Sequence, residues 1–195
     1  MSLVPAERPL RADARRNRER VIRAAARVFA EKGLDAGIPE VAARAGVGKA
    51  TVYRSFPSKE HLVAAVACER LEWITSLTTL ALASDDAGEA FEQVISTIAE
   101  RQATDCSVAG SLAADIHLPE LEAARASTRA ALASLMDRAR DEGALREDAT
   151  AEELHVLFTG FSNVLRTTGE SDPAVWRRYG GLIVDALRPP LGARP

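Results

Sequence analysis

Pro57 constrains this chain through what stands before it. In the stretch from Ala45 to Leu62, AGVGKATVYRSFPSKEHL, the proline cannot continue a helix and biases Phe56 away from the α region. Gly46 and Gly48 interrupt the chain on the other side. A helix confined between Gly48 and Pro57 has room for about two turns. It carries Lys49, Thr51, Tyr53, Arg54 and Ser55. That is dense cationic and hydroxyl chemistry for so small an element. A short, donor-rich helix after a glycine turn is what a helix-turn-helix puts into the DNA major groove.

The formal net charge of −3 argues against a polyanionic partner, but its distribution argues for one. Residues 1–65 hold 13 Lys and Arg against 7 Asp and Glu, and the rest of the chain holds 12 against 21. A basic head on an acidic body suits a protein whose one end meets a polyanion while the other is kept off it. Cys68 and Cys106 are the only cysteines. Both fall in apolar or small-residue helical stretches, which points to reduced, buried thiols in a cytoplasmic protein. The first residues lack the apolar core of a secretory signal, and no apolar run approaches a membrane span.

Helical periodicity runs through nearly the whole chain, and no segment alternates as a strand does. The expected fold class is all-α, with about nine helices. Val21, Ile22, Ala25, Val28 and Phe29 make one apolar face that stops at Gly33. Pro39 opens a second helix, and the short one covers about Lys49 to Ser55. Val41, Ala42, Val47 and Val52 are spaced to pack on the first. Ser58 caps a long helix with Leu62, Val66, Ile74 and Leu77, ending near Ala81. Asp85 and Asp86 open another, with Phe91, Val94, Ile95 and Ile98 on one face. A shorter segment is expected around Cys106 to Asp115. Pro119 starts a helix with Leu121, Ala124, Leu132, Leu135 and Ala139 inward. Thr150 and Glu153 form a capping box for the next, lined by Leu154, Leu157, Phe158, Phe161 and Leu165. Asp172 and Pro173 start the last, with Tyr179, Leu182, Ile183 and Ala186 inward. The organisation is a disordered Arg-rich leader over 1–13, a three-helix DNA-binding head over 14–60, and a helical body over 61–195 that ends in a disordered tail from about 189.

Lys59 makes a separate argument. A cation at the first position of a helix opposes the helix dipole by a few tenths of a kcal/mol. With a DNA phosphate at that terminus, the free N–H groups, the dipole and Lys59 all act together.

From about Arg16 to Val66 the sequence resembles the DNA-binding head of TetR-family transcriptional regulators. The matching pieces are FAEKG at the end of the first helix and EVAARAGVGKATVYRSFPSKEHLV after it. Gly46-Val47, Thr51, Tyr53, Phe56, Ser58, Lys59, Glu60 and Leu62 agree with the family pattern in order and spacing. The resemblance implies that Thr51, Tyr53 and Lys59 hold phosphates while Lys49, Ala50, Arg54 and Ser55 lie near base edges. Hydroxyl and ammonium donors suit phosphate oxygens, and Arg54 can grip guanine bidentately. Tyr53 has a rival reading as a core aromatic. Three residues depart from the pattern: Gly48 replaces a capping Ser or Thr, Ala50 stands where Gly is common, and Ile38 stands where a hydroxyl residue usually caps the second helix. The leader arginines Arg8, Arg11, Arg15 and Arg16 are either an arm for an adjacent minor groove or a solvated basic tail.

By the same resemblance the body binds an effector and dimerises. The last two long helices would form a four-helix bundle with a second copy. Phe158, Phe161, Leu165, Trp176, Tyr179 and Ile183 supply its apolar surface, and Gly160, Gly180 and Gly181 allow close approach. Trp73, Leu77, Phe91, Ile95, Cys106, Leu112, His117, Phe158 and Phe161 are candidate walls of an apolar effector cavity. His117 is its candidate switchable polar group. The implied function is a homodimeric repressor of a palindromic operator, released by a small and largely apolar effector. An enzyme is disfavoured: His61, His117 and His155 show no metal-ligand spacing, and there is no phosphate loop or nucleophile elbow. No cofactor, metal or membrane partner is expected. A helical scaffold that keeps the head shape without reading DNA is the other class, and the basic head with Lys59 argues against it.

Overall fold

The computed structural model describes residues 7–104 and 115–190. Among the described residues there are eight α-helices, one short 3-10 turn and no strand. The expected segment around Cys106 falls, but for its last residue, outside them. The chain divides into two compact units, Met1–Ala67 with Ser107–Leu118, and Cys68–Cys106 with Pro119–Pro195.

The first unit contains α1 (Glu7–Lys32), the 3-10 turn (Gly33–Asp35), α2 (Ile38–Ala45), α3 (Lys49–Ser55) and the start of α4 (Lys59–Ala81). Its buried residues include Val21, Ala25, Val28 and Phe29 from α1, Val41 and Ala42 from α2, Val52 from α3, and Phe56, Leu62 and Val63 beyond. Those of α1, α2 and α3 are apolar positions that periodicity selects, whereas Val47, selected with them, is half-buried. α1 corrects one expectation, because it begins at Glu7, inside the stretch expected to be disordered. Leu10, Ala12, Ala14, Arg15 and Arg16 are good helix formers. Pro9 falls in the first turn, where a missing N–H forfeits no bond. Arg15 and Arg16 are therefore helical surface residues, paired with Glu19 and Asp13.

The second unit contains the rest of α4, α5 (Ala87–Thr104), α6 (Pro119–Asp141), α7 (Ala151–Thr167) and α8 (Pro173–Leu187). Its core gathers Ile74, Phe91, Val94, Ile95, Ile98, Leu135, Met136, Leu154, Ile183, Val184 and Leu187. Each such side chain contributes roughly 1.5–3 kcal/mol on leaving water. The caps fall where the sequence places them. Asp86 Oδ1 accepts from Glu89 N–H at 2.7 Å, Thr150 Oγ1 from Glu153 N–H at 3.1 Å, and Asp172 Oδ1 from Ala174 N–H at 2.9 Å. Only half of the capping box at Thr150 forms, because the Glu153 carboxylate pairs with Arg146.

The inward face of α8 differs from expectation. Trp176, Gly180, Ile183, Val184 and Leu187 are buried, whereas Tyr179, Leu182 and Ala186 are exposed. Gly180 permits the contact with α5: a Cβ there would meet Ala99 Cβ at 3.0 Å and Ile95 O at 3.6 Å. A face bearing Tyr179 could not bring the two backbones so close.

Candidate nucleic-acid interface

α2 begins from Gly37, not from Ile38. Ile38 is the first helical residue and is buried, so it replaces a capping hydroxyl with core contact. The start is tied by a carboxylate. Glu40 Oε2 accepts from Gly37 N–H at 2.8 Å, and its other oxygen accepts from Lys32 Nζ at 2.5 Å. These partners hold the Glu40 carboxyl below its usual range, Lys32 acting most strongly and the Gly37 amide next. Arg44 grips Glu31 with two nitrogens, at 2.9 and 2.5 Å, and likewise lowers its pKa.

α2 ends on Gly46, whose φ of +66° is left-handed, a region glycine enters without a Cβ penalty. Val47 N–H donates to Ala42 O at 3.0 Å and Gly46 N–H to Ala43 O at 3.2 Å, closing the helix with a Schellman pair. Two residues later Gly48 starts α3, accepting from Thr51 N–H at 2.9 Å. Phe56, extended and buried, ends it before Pro57. Ser58 then caps α4, its Oγ accepting from His61 N–H at 3.3 Å.

Of the α3 residues only Val52 is buried. Lys49, Ala50 and Arg54 are exposed, Tyr53 is 51% exposed, and Thr51 and Ser55 are half-buried. The exposure of Tyr53 removes its reading as a core aromatic. Lys59 is the first residue of α4, half-buried at the terminus that Ser58 caps. All seven predicted DNA-binding residues thus stand on α3 or at the start of α4. Lys49, Tyr53 and Arg54 present donors to solvent, a chemistry that suits phosphate oxygens and base acceptors.

The body residues are less uniform. Phe91 and Ile95 are fully buried core, so packing and not a cavity accounts for them. Trp73 and Leu77 are half-buried, and the Arg101 guanidinium lies 4.1 Å from the Trp73 ring centroid. Phe158 and Phe161 are half-buried and meet edge to face at 4.9 Å. His117 is exposed and falls in the first unit. Cys106 and Leu112 lie outside the described residues. Cys68 is half-buried, not buried. An open groove on α5 is lined by the polar residues Glu89, Glu92, Gln93, Ser96, Thr97 and Glu100.

Among the predicted interface residues, Leu165, Trp176 and Ile183 are enclosed by their own chain. Trp176 also donates its indole N–H to Glu170 O at 3.0 Å. They are core positions, and only the exposed Tyr179 and the half-buried phenylalanines reach the surface. The sequence reading missed Val156 and Val164 on α7, 60% and 57% exposed, and assigned Leu182 on α8, 52% exposed, to the inside. It also missed Ser162, whose buried Oγ has no hydrogen-bond partner among the described residues, and Arg20, whose Nη2 donates to the α2–α3 turn.

No group of three potential metal ligands occurs among the described residues. No described helix is long and apolar enough to cross a membrane.

The family model for bacterial regulatory proteins, tetR family, matches residues 21–66. The model for the transcriptional regulator SbtR-like C-terminal domain matches residues 86–189. No curated protein matches. Among solved structures, the TetR transcription regulatory protein from Mycobacterium vanbaalenii is 32% identical, covering 93% of this chain and 100% of its own, with a TM-score of 0.61. A TetR transcriptional regulator from Streptomyces coelicolor is 27% identical over 89% of this chain and 99% of its own, with a TM-score of 0.66. RolR, solved with the ligand resorcinol, is 18% identical over 90% of this chain and 89% of its own; at a TM-score of 0.59 it shares the fold.

Proposed function

Because the chain belongs to the TetR family of transcriptional regulators, we propose that it is a homodimeric repressor that a small effector releases from a palindromic operator. The observation that carries the reading is α3: one buried valine, with Lys49, Ala50, Tyr53 and Arg54 turned to solvent. In this reading Thr51, Tyr53 and Lys59 hold phosphates, and Lys49, Ala50, Arg54 and Ser55 lie at base edges. Double-stranded DNA then meets the basic head in the cytoplasm, and the acidic body stays clear of it.

Two copies join through the outer faces of α7 and α8. The support is apolar surface that one chain leaves uncovered, Val156 and Val164 on α7 with Tyr179 and Leu182 on α8. Gly160 and Gly181, with nothing within 4 Å of an added Cβ, let the partner helices approach. A dimer presents two heads to two half-sites. The effector binds in the second unit, where Trp73, Leu77, Phe158 and Phe161 are apolar but incompletely buried. That RolR was solved with resorcinol supports a small ligand in this fold. The effector acts by favouring a dimer whose head spacing no longer fits the operator.

The test begins with an operator selected by the full chain from a random-sequence duplex pool. Arg54→Ala is expected to relax preference at one base position, at roughly 1–3 kcal/mol. Lys59→Ala is expected to weaken all sequences alike and to lower the salt slope by about one. Binding that does not fall with salt, or an equal loss on every operator variant for Arg54→Ala, overturns the reading.

A further inference from the structure

α3 is held thinly for an element that must aim side chains at base edges. Val52 is its one buried residue, with Phe56 beyond its far end. α1 reaches both ends. At the near end, the Gly46 and Val47 N–H groups already bond back to Ala43 and Ala42. The Ala45 and Gly46 carbonyls then stand past the last of those acceptors. Arg20 Nη2 donates to both, at 2.8 Å to Ala45 O and 3.3 Å to Gly46 O. A cation there also meets the negative end of the α2 dipole. The same nitrogen lies 3.6 Å from where a Gly46 Cβ would stand, so the guanidinium covers the turn. At the far end, the Arg18 guanidinium lies 4.6 Å from the Phe56 ring centroid, within cation–π range.

We propose that Arg20 is a positioning residue for sequence reading: it fixes the α2–α3 turn and so the direction in which α3 presents Lys49, Ala50 and Arg54. Arg18 is the second hold, at the opposite end. Arg20 is exposed and its core neighbours Val21, Ile22, Ala24 and Ala25 carry the burial, so its loss leaves the head folded. What it changes is aim. A bidentate grip on a base edge depends on geometry, whereas a phosphate contact through a flexible lysine tolerates small rotations.

The proposal rests on the DNA-reading role proposed above, and the experiment separates the two. Full-chain wild type, Arg20→Ala and Arg20→Lys are compared on the selected duplex and on a single-base variant of it, over a range of salt. Amide exchange is followed at Val47, Thr51 and Val52. For Arg20→Ala, discrimination between the two duplexes is expected to fall about tenfold, with an unchanged salt slope and an unchanged melting temperature. Exchange at the three amides rises several-fold. Arg20→Lys is expected to recover part of both, since an ammonium keeps the charge without the planar fork. Retained discrimination with a salt slope lower by about one makes Arg20 a phosphate contact and overturns the proposal. Unchanged exchange and discrimination overturn it as well. If wild type shows no salt-dependent DNA binding, the DNA reading fails, while amide exchange still decides whether Arg20 fixes the turn.

Discussion

Three glycines in the last two helices separate packing within one chain from the proposed packing between two. Gly160, Gly180 and Gly181 are all helical, and replacing a helical glycine by alanine gains about 1 kcal/mol of propensity. Their surroundings differ. A methyl at Gly180 would stand 3.0 Å from Ala99 Cβ, 3.6 Å from Ile95 O and 3.7 Å from Ile95 Cγ2. Ala99 cannot rotate away, so α8 must shift from α5, an overpacking cost of about 1–3 kcal/mol. Gly180→Ala is therefore expected to range from neutral to about 2 kcal/mol less stable. Methyls at Gly160 and Gly181 meet nothing in their own chain, so the propensity gain stands within the monomer. An isologous dimer through this face meets each methyl twice, and its dissociation constant is expected to rise tenfold or more. Sedimentation equilibrium gives the dissociation constant. Thermal melts at one protein concentration give stability, on a scale of about 2–4 °C per kcal/mol for a chain of this length. Equal stabilisation at all three positions refutes the reasoning, since it treats Gly180 as a surface glycine. Unchanged dimerisation for Gly160→Ala and Gly181→Ala removes the outer face of α7 and α8 from the interface.

Ser162→Ala is expected to raise the melting temperature, because it deletes a buried hydroxyl without a partner, a gain of about 1 kcal/mol; a lower melting temperature shows that the hydroxyl is satisfied in solution. Val52→Ala removes the one buried anchor of α3 and costs about 2 kcal/mol. DNA affinity is expected to drop before helical circular dichroism does in a urea titration, and coincident loss refutes the local effect. Glu40 titrates below its unfolded value, held down by Lys32 and the Gly37 amide. Its ionised form thus supports the start of α2 above the unfolded carboxylate range, and this support is lost as pH falls through the folded value. Glu40→Gln is expected to flatten that acid-side loss, read from the pH dependence of the Gly37 amide shift and of the melting temperature.

Local punctuation made the head legible in sequence. Gly46, Gly48, Pro57 and Ser58 act on their immediate neighbours, so the bounds of α3 and the start of α4 could be read directly. α8 was harder because it is apolar on two sides. Tyr179, Leu182, Ile183 and Ala186 have helical spacing, and so do Trp176, Gly180, Ile183 and Leu187. What decides between them is the bare backbone of Gly180 against α5, a contact that periodicity does not contain. The same limit hid Arg20, whose acceptors lie 25 and 26 residues away. The proposed effector site was the least legible, since Phe91 in the core and Phe158 at half burial are the same residue type on similar helices.

The thin seating of α3 carries a consequence for how such a head diversifies. Val52 and Phe56 fasten the helix, while the exposed side chains of Lys49, Ala50, Tyr53 and Arg54 contribute almost nothing to folding. Surface substitutions of that kind change stability by about half a kcal/mol or less. If these residues spell the operator, as proposed above, they are rewritable without refolding the protein that displays them. On that reading, mutational drift there explores new DNA targets while the fold stands still.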